Sequence, residues 1–290
     1  MTVRDLGYRA YEGELRPASQ NTWVLLRYGL WRIWGSWVNK LVVFFFWIPA
    51  AFYIAAAVAR WAILGPDLPA EPEEGSWWLS PPAEWMRYLT GAQFWFFVVP
   101  VTLRSGAGII AADLQHKAYQ FYFAKPVTPT DFLAGRAAAL AVFLFGLVFV
   151  PTALLALTFV GTGPEGQQWE RAGLLLPALL DALVVALSTS VLAIGVSALS
   201  KSRTLSLTAW VVLLIVPFAL GTLVEEIGEV EWMHAVSLPG LLWALGDGLY
   251  KVSESWQQLR WFHAAPLLLV LGAGAALFAH RRVSTAEVIT

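Results

Sequence analysis

Long runs of apolar residues alternate with short polar segments along this 290-residue chain. Six of the runs approach or exceed the ~20 residues that an α-helix needs to cross a ~30 Å hydrocarbon core. They cover residues 41–64, 93–112, 132–160, 172–199, 205–224 and 263–280. The pattern predicts an all-α polytopic membrane protein with six transmembrane helices, built as a single transmembrane domain.

A different pattern precedes the first span. Between residues 22 and 39, apolar side chains repeat at helical spacing on one half of the helical wheel, while Arg32, Ser36 and Asn39 lie on the other half. A helix of this kind lies flat in the membrane interface. We therefore expect an N-terminal interfacial helix, and the alternative, a simple extension of the first span, is disfavoured by the polar face.

The second loop, residues 111–136, has a helical repeat followed by a helix start. Leu114, Ala118, Phe121 and Tyr122 recur at the spacing of one helix face, which predicts a short amphipathic helix over 113–124. Pro126 ends this helix, because proline disfavours helical geometry in the residue before it. The loop is thus expected to begin with a shaped cytoplasmic projection.

The next helix begins with a capping signature. Thr128 is suited to the N-cap, Pro129 to the first helical position, and Asp131 completes a capping box. The third span is therefore expected to start at a defined residue, directly after the projection.

Charge sets the orientation of the chain. With the amino terminus inside, the cytoplasmic segments hold thirteen basic and six acidic residues, whereas the opposite loops hold four basic and thirteen acidic residues. Since Lys and Arg are retained on the cytoplasmic side during insertion, both termini are expected in the cytoplasm of a multi-pass protein of the cytoplasmic membrane. The predicted parts are a cytoplasmic arm with the interfacial helix over 1–40, the six-helix bundle over 41–282 and a cytoplasmic tail over 283–290.

Composition excludes several classes of function. The net charge of −1 gives no reason to expect nucleic acid as a partner, and the absence of cysteine excludes disulfides and thiolate metal sites. The four histidines are spread over distant segments, so no shared metal site is expected. No Gly-x-x-x-x-Gly-Lys-Ser/Thr, His-Glu-x-x-His or Gly-x-Ser-x-Gly sequence occurs. No catalytic, cofactor-binding or metal-ligating residue is therefore expected, and the chain by itself is not expected to be an enzyme.

Two ionisable residues lie deep within the predicted spans. Counted from the predicted outer ends, Arg104 and Asp181 both fall near the bilayer midplane, where an isolated charge costs at least ~2.5–3.5 kcal/mol. A mutual ion pair would offset this cost. As such a pair, or as two separately hydrogen-bonded groups, these residues are expected to fix helix packing; the other expectation is a role on the translocation path.

The order of these features resembles that of a known family. The segment GAGIIAADLQHKAYQFYFAKPVTPTDFLAGR, the six spans and the preceding amphipathic helix are similar to the permease subunits of bacterial ATP-binding-cassette (ABC) exporters of the type-two permease family. The tail RRVSTAEVIT and the early segment RDLGYR also resemble that family. The positions that carry the likeness in the second loop are Gly106, Gly108, Asp113, Pro126, Gly135 and Arg136. Ala112 departs from the pattern, since many relatives have a second acid there.

The resemblance implies a division of labour between subunits. A separate cytoplasmic ABC ATPase would bind ATP and Mg²⁺, and helix 113–124 would dock into it as a coupling helix. The residues expected to contribute are Asp113, Leu114, Lys117, Phe121, Tyr122, Pro126 and Thr128. The chain would be one six-span half, so the resemblance also implies a dimer with an identical or paralogous permease half in the lipid bilayer.

Two other classes of protein remain open on the sequence. A secondary transporter or channel would use Arg104 and Asp181 for ion coupling, and the shaped second loop counts against it. An intramembrane enzyme would need a serine paired with a histidine at similar depth, and Ser188, Ser190 and Ser197 lack such a histidine.

Overall fold

The computed structural model describes residues 20–65, 77–116, 127–228, 236–252 and 260–288. These residues form helices and no strands. Six helices are long and apolar enough to cross a membrane, which confirms the expected all-α architecture with six candidate spans. They are Trp37–Leu64, Pro82–Gln115, Pro129–Gly161, Gln168–Ser197, Arg203–Val224 and Trp261–Thr285.

The first helix, α1 (Asn21–Gly35), ends four residues earlier than the sequence pattern predicts. Ser36 adopts an extended conformation (φ −73°, ψ 121°), and α2 (Trp37–Leu64) begins directly after it. Residues 37–39 therefore belong to the first span, so the predicted end at residue 39 is wrong. A short polar residue breaks the helix here because the chain must change direction between α1 and the span. The location of α1 in the membrane interface stays a prediction.

The second span consists of several short helical pieces. Helix α3 (Pro82–Gln93) continues through a π-helical segment (Phe94–Val98) into α4 (Val99–Ser105). A turn at residues 106–108 then leads into α5 (Ile109–Gln115). The span starts eleven residues before the predicted residue 93, because Arg87 and Thr90 of α3 are buried and hydrogen-bonded within the fold.

The third span, α6 (Pro129–Gly161), begins as the sequence predicts. Thr128 Oγ1 accepts a hydrogen bond from Asp131 N at 3.1 Å, and Thr128 N donates to Asp131 Oδ2 at 3.2 Å. This reciprocal pair is the expected capping box. It fixes the first turn of the helix directly after the second loop.

The fourth span occupies the centre of the bundle. It comprises α7 (Gln168–Ala172) and α8 (Leu175–Ser197). In its apolar 18-residue stretch, 61% is buried. For the fifth and sixth spans, α9 (Arg203–Gly228) and α11 (Trp261–Val288), the buried share is 17%. Helices α6 and α8 pack against each other more extensively than any other pair of described helices and form the core, whereas α9 and α11 present most of their apolar surface outward.

A thirteen-residue helix, α10 (Leu238–Tyr250), fills one end of the bundle. At ~1.5 Å per residue it is ~20 Å long, too short to cross a ~30 Å core. Most of its residues are nevertheless buried, and it packs against α3, α8, α9 and α11. It closes the end of the bundle opposite the second loop.

Candidate functional site

An ion pair joins the two helices on either side of the second loop. Arg136 Nη2 of α6 donates to Asp113 Oδ2 of α5 at 3.1 Å. The side chains are only 2% and 13% exposed, so the pair is shielded from solvent. Removing one partner of an ion pair in such surroundings is strongly destabilising, because the other charge is left buried and uncompensated. Both ends of the loop are thereby attached to one another.

The capping carboxylate of α6 also reaches α1. Thr22 Oγ1 donates a hydrogen bond to Asp131 Oδ1 at 2.9 Å, and Thr128 Oγ1 donates to Asp131 Oδ2 at 2.9 Å. Asp131 thus connects the start of α1 to the start of the third span. The N-terminal helix, the end of the loop and the third span form one bonded unit.

Small residues bring α1 close to α6. A side chain at Gly135 would meet Leu25 Cβ at 2.5 Å, and one at Gly29 would meet Ala139 Cβ at 2.6 Å. Real Cβ atoms do not approach so closely, so both positions require glycine for this packing. Gly135 is one of the positions that carry the family resemblance, and the structure gives it a steric role.

The residues expected to contact an ATPase fall into two groups. Lys117, Phe121, Tyr122 and Pro126 lie outside the described residues. Of the predicted helix over 113–124, the described part belongs to α5, which starts at Ile109 and ends at Gln115. Asp113 bonds Arg136 and Thr128 caps α6, so both hold the base of the loop.

Leu114 packs within the chain itself. Its side chain is 7% exposed and lies in an apolar cluster with Ile110, Phe132 and Val283. This burial follows because α5 lies against the bundle. The contribution of Leu114 to ATPase docking together with Phe121 and Tyr122, which lie outside the described residues, stays a prediction.

Arg104 and Asp181 do not form the predicted ion pair. Arg104 is exposed at the end of α4, whereas Asp181 is 1% exposed beside Arg87 and Thr90. Arg104 follows Pro82 by 22 residues, or ~33 Å along the helix, whereas Asp181 follows Leu175 by six residues, or ~9 Å. The early start of the second span moves Arg104 to the far end of the bundle, and this shift is the physical reason for the error.

The arginine that lies beside Asp181 is Arg87, not Arg104. Its Nε donates to Asp247 Oδ1 at 2.6 Å, its Nη2 donates to the carbonyl oxygen of Trp243 at 2.7 Å, and its guanidinium lies 4.0 Å from the centre of the Trp243 ring. Buried Asp181 of α8 lines the same small cavity as Arg87, so these residues form one charged cluster with Asp247. The bonds of Arg87 tie α10 to α3.

The sequence contains a signal for this cluster. Trp85, Met86 and Leu89 are fully buried around Arg87 and repeat at helical spacing, which would have extended the second span backward.

Tyr250 lies at the same end of the bundle, and burial, with the charge of Asp181 as a second cause, raises its pKa above the ordinary value. Its hydroxyl is therefore neutral at physiological pH.

Sequence comparison with known proteins assigns the chain to no family. Neither a protein-family model nor a curated protein matches the chain. Within the part of the chain that the structure describes, no group of three or more His, Asp or Glu side chains is placed to hold a metal ion. What the geometry shows is a loop base fixed by charge and hydrogen bonds at one end of a six-helix bundle and a buried charged cluster at the other.

Proposed function

We propose that this chain is the permease subunit of an ABC exporter in the cytoplasmic membrane, with both termini in the cytoplasm. ATP and Mg²⁺ would bind to a separate cytoplasmic ATPase subunit, and this chain would provide the path for the exported substrate. The observation that carries the proposal is the ion pair between Asp113 and Arg136 at the base of the second loop.

This ion pair suits a loop that receives force from a partner protein. Segment 117–126 is flanked by α5 and α6, which are joined by Asp113 and Arg136, and the capping box of Thr128 fixes the first turn of α6. A displacement of the segment would pass directly to the third span and, through α5, to the second span. A slack linker would absorb the same displacement without moving the bundle.

The helix α1 extends the unit that would move. It packs along α6 and is bonded to Asp131 through Thr22, so it would move with the base of the loop. Because α6 and α8 are the most extensively packed helices, a movement of α6 would reach the centre of the bundle.

The proposal includes a second permease half that is identical or paralogous to this chain. In the apolar 18-residue stretches of α2, α9 and α11, only 22%, 17% and 17% is buried. Most of the apolar surface of these helices therefore faces outward. Lipid tails and a partner half would share this surface. The substrate path would lie between the two halves.

The alternative, a secondary transporter or channel, would use Arg104 and Asp181 for ion coupling. These residues line two separate cavities, which disfavours a single coupling site built from both.

Purification from the native membrane tests the proposal. We expect an ABC ATPase to copurify with the chain in mild detergent. Phe121→Ala and Tyr122→Ala should each weaken this association about 30-fold, because truncating an aromatic residue at an interface often costs ~2 kcal/mol. Trp169→Ala is the matched control, since Trp169 is 88% exposed at the other end of the bundle.

The control should retain the ATPase at the level of the unaltered chain. Absence of any ATPase from the native complex, together with substrate transport that is unchanged in the Phe121 and Tyr122 variants, would show that the proposal is wrong.

A further inference from the structure

Four arginines from four different helices line one cavity at the loop end of the bundle. The cavity has a volume of about 350 Å³ and lies between α1, the start of α2, the turn after α4, α6 and the start of α9. Its arginines are Arg32, Arg104, Arg136 and Arg203. This volume falls within the usual range of small-ligand sites. The topology thus collects cationic side chains that are far apart in sequence.

The positive charge of the cavity exceeds its negative charge. Asp113 bonds Arg136 and also attracts Arg32 electrostatically. Arg32, Arg104 and Arg203 form no ion pair with any residue that the structure describes. Four guanidinium groups against this one carboxylate leave three positive charges in excess. Like charges collected at the end of a membrane bundle repel one another unless an anion lies between them.

The cavity is shaped to keep a guanidinium group beside it. A side chain at Gly108 would meet Arg203 Cγ at 2.8 Å, so the absence of a side chain lets Arg203 lie across the turn between α4 and α5. Ser36 also lines the cavity, and its buried Oγ has no hydrogen-bond partner among the described residues. A hydroxyl donor and several guanidinium forks therefore surround the same space.

These donors fit a phosphate group best. A guanidinium group offers planar paired N–H donors that match two phosphate oxygens, and the tetrahedral phosphate has oxygens for donors arriving from several directions. The cavity lies where the first and fifth candidate spans begin, at Trp37 and Arg203, so in a bilayer it would lie at the level of the lipid headgroups. Basic pockets between transmembrane helices at that level bind anionic headgroups.

We propose that this cavity binds a phosphate group, held by Arg104 and Arg203 with Arg32 and Ser36 at its sides. The phosphate belongs either to an anionic phospholipid headgroup or to a soluble phosphate. The site is independent of the proposed function, because its binding requires no ATPase.

Calorimetric titration of the full chain in neutral detergent tests the site. The probes are dioctanoyl phosphatidylglycerol and inorganic phosphate, each at constant ionic strength. We expect Arg104→Gln/Arg203→Gln to weaken binding at least about tenfold, because two charge-assisted donors are lost. Arg281→Gln/Arg282→Gln removes the same charge from exposed positions of α11 and should stay within about twofold of the unaltered chain.

The two probes distinguish the source of the phosphate. Binding of phosphatidylglycerol alone, with the expected arginine dependence, supports a lipid headgroup. Binding of inorganic phosphate with the same dependence supports a soluble ligand. Equal binding by the unaltered chain and the glutamine variant overturns the proposal.

Two further variants keep the test decisive. If the glutamine variant does not fold, Arg104→Lys/Arg203→Lys retains the charge but lacks the planar fork, and it should bind at least about threefold more weakly. Unchanged binding by this lysine variant overturns the proposal. Binding that occurs only in Asp5→Asn/Glu12→Gln/Glu14→Gln would show that acids of the chain's own arm occupy the cavity, and the proposal would then be wrong.

Discussion

Arg136 and Asp113 are 23 residues apart in sequence and form a shielded ion pair, with Nη2 and Oδ2 separated by 3.1 Å. The pair brackets the second loop, so the two helices that enter and leave it are held at one fixed distance. Both positions belong to the family resemblance, and the three-dimensional arrangement of α5 and α6 shows that they pair.

The ion pair predicts strong coupling between its two members. Arg136→Met should destabilise the chain by ~3–5 kcal/mol, because it leaves the carboxylate of Asp113 shielded and uncompensated. The double variant Arg136→Met/Asp113→Leu should lose less stability than the sum of the single variants, with a coupling energy of at least ~0.5 kcal/mol. Unfolding in detergent measures all three variants, and Arg27→Met provides a control at an exposed position of α1. Additive effects would show that the pair contributes no coupling.

The charged cluster at the opposite end gives a second cycle. Arg87→Met and Asp247→Leu should be coupled by ~0.5–3 kcal/mol, since the two side chains bond directly at 2.6 Å. Arg104→Met and Asp181→Leu should be additive within ~0.5 kcal/mol, because these residues do not meet. Thermal unfolding of both sets in one detergent makes the comparison. Strong coupling in the second set would contradict the placement of Arg104 at the loop end.

The close packing of α1 against α6 predicts different effects of alanine at two glycines of α6. Gly135→Ala should destabilise the chain, because its new methyl group would lie 2.5 Å from Leu25 Cβ. Gly146→Ala is the matched control, since a Cβ there meets no atom within 4 Å. Alanine is favoured over glycine in a helix by ~0.5–1 kcal/mol, so the control should be neutral or stabilising. Chemical unfolding in detergent measures both, and equal effects would rule out the steric role of Gly135.

The orientation predicted from charge is testable because the chain lacks cysteine. Gln115→Cys and Glu165→Cys each introduce one thiol at an exposed position, on opposite ends of the bundle. In intact cells an impermeant maleimide should label the cysteine at residue 165, and the cysteine at residue 115 should react only after the membrane is opened. The unaltered chain serves as the unlabelled control. Labelling of both variants in intact cells would contradict the six-span topology.

Local patterns determined much of this protein. The six apolar runs, the all-α class and the capping box of Thr128 and Asp131 follow from the sequence, because each depends on residues within one helix or one turn. The same holds for α1, whose amphipathic repeat predicts a helix that the structure contains over Asn21–Gly35.

Tertiary contacts decided the positions of the charged groups. On the sequence alone, Arg87 is assigned to a polar loop. In the structure it lies inside the bundle, where it bonds Asp247 and the carbonyl oxygen of Trp243, 160 and 156 residues away. That contact extends the second span backward, removes Arg104 from the level of Asp181 and places it with Arg32, Arg136 and Arg203. Hydropathy assigns the cost of burying a charge to each residue separately. The compensating partner comes from a distant helix, so the depth of these groups was settled by packing.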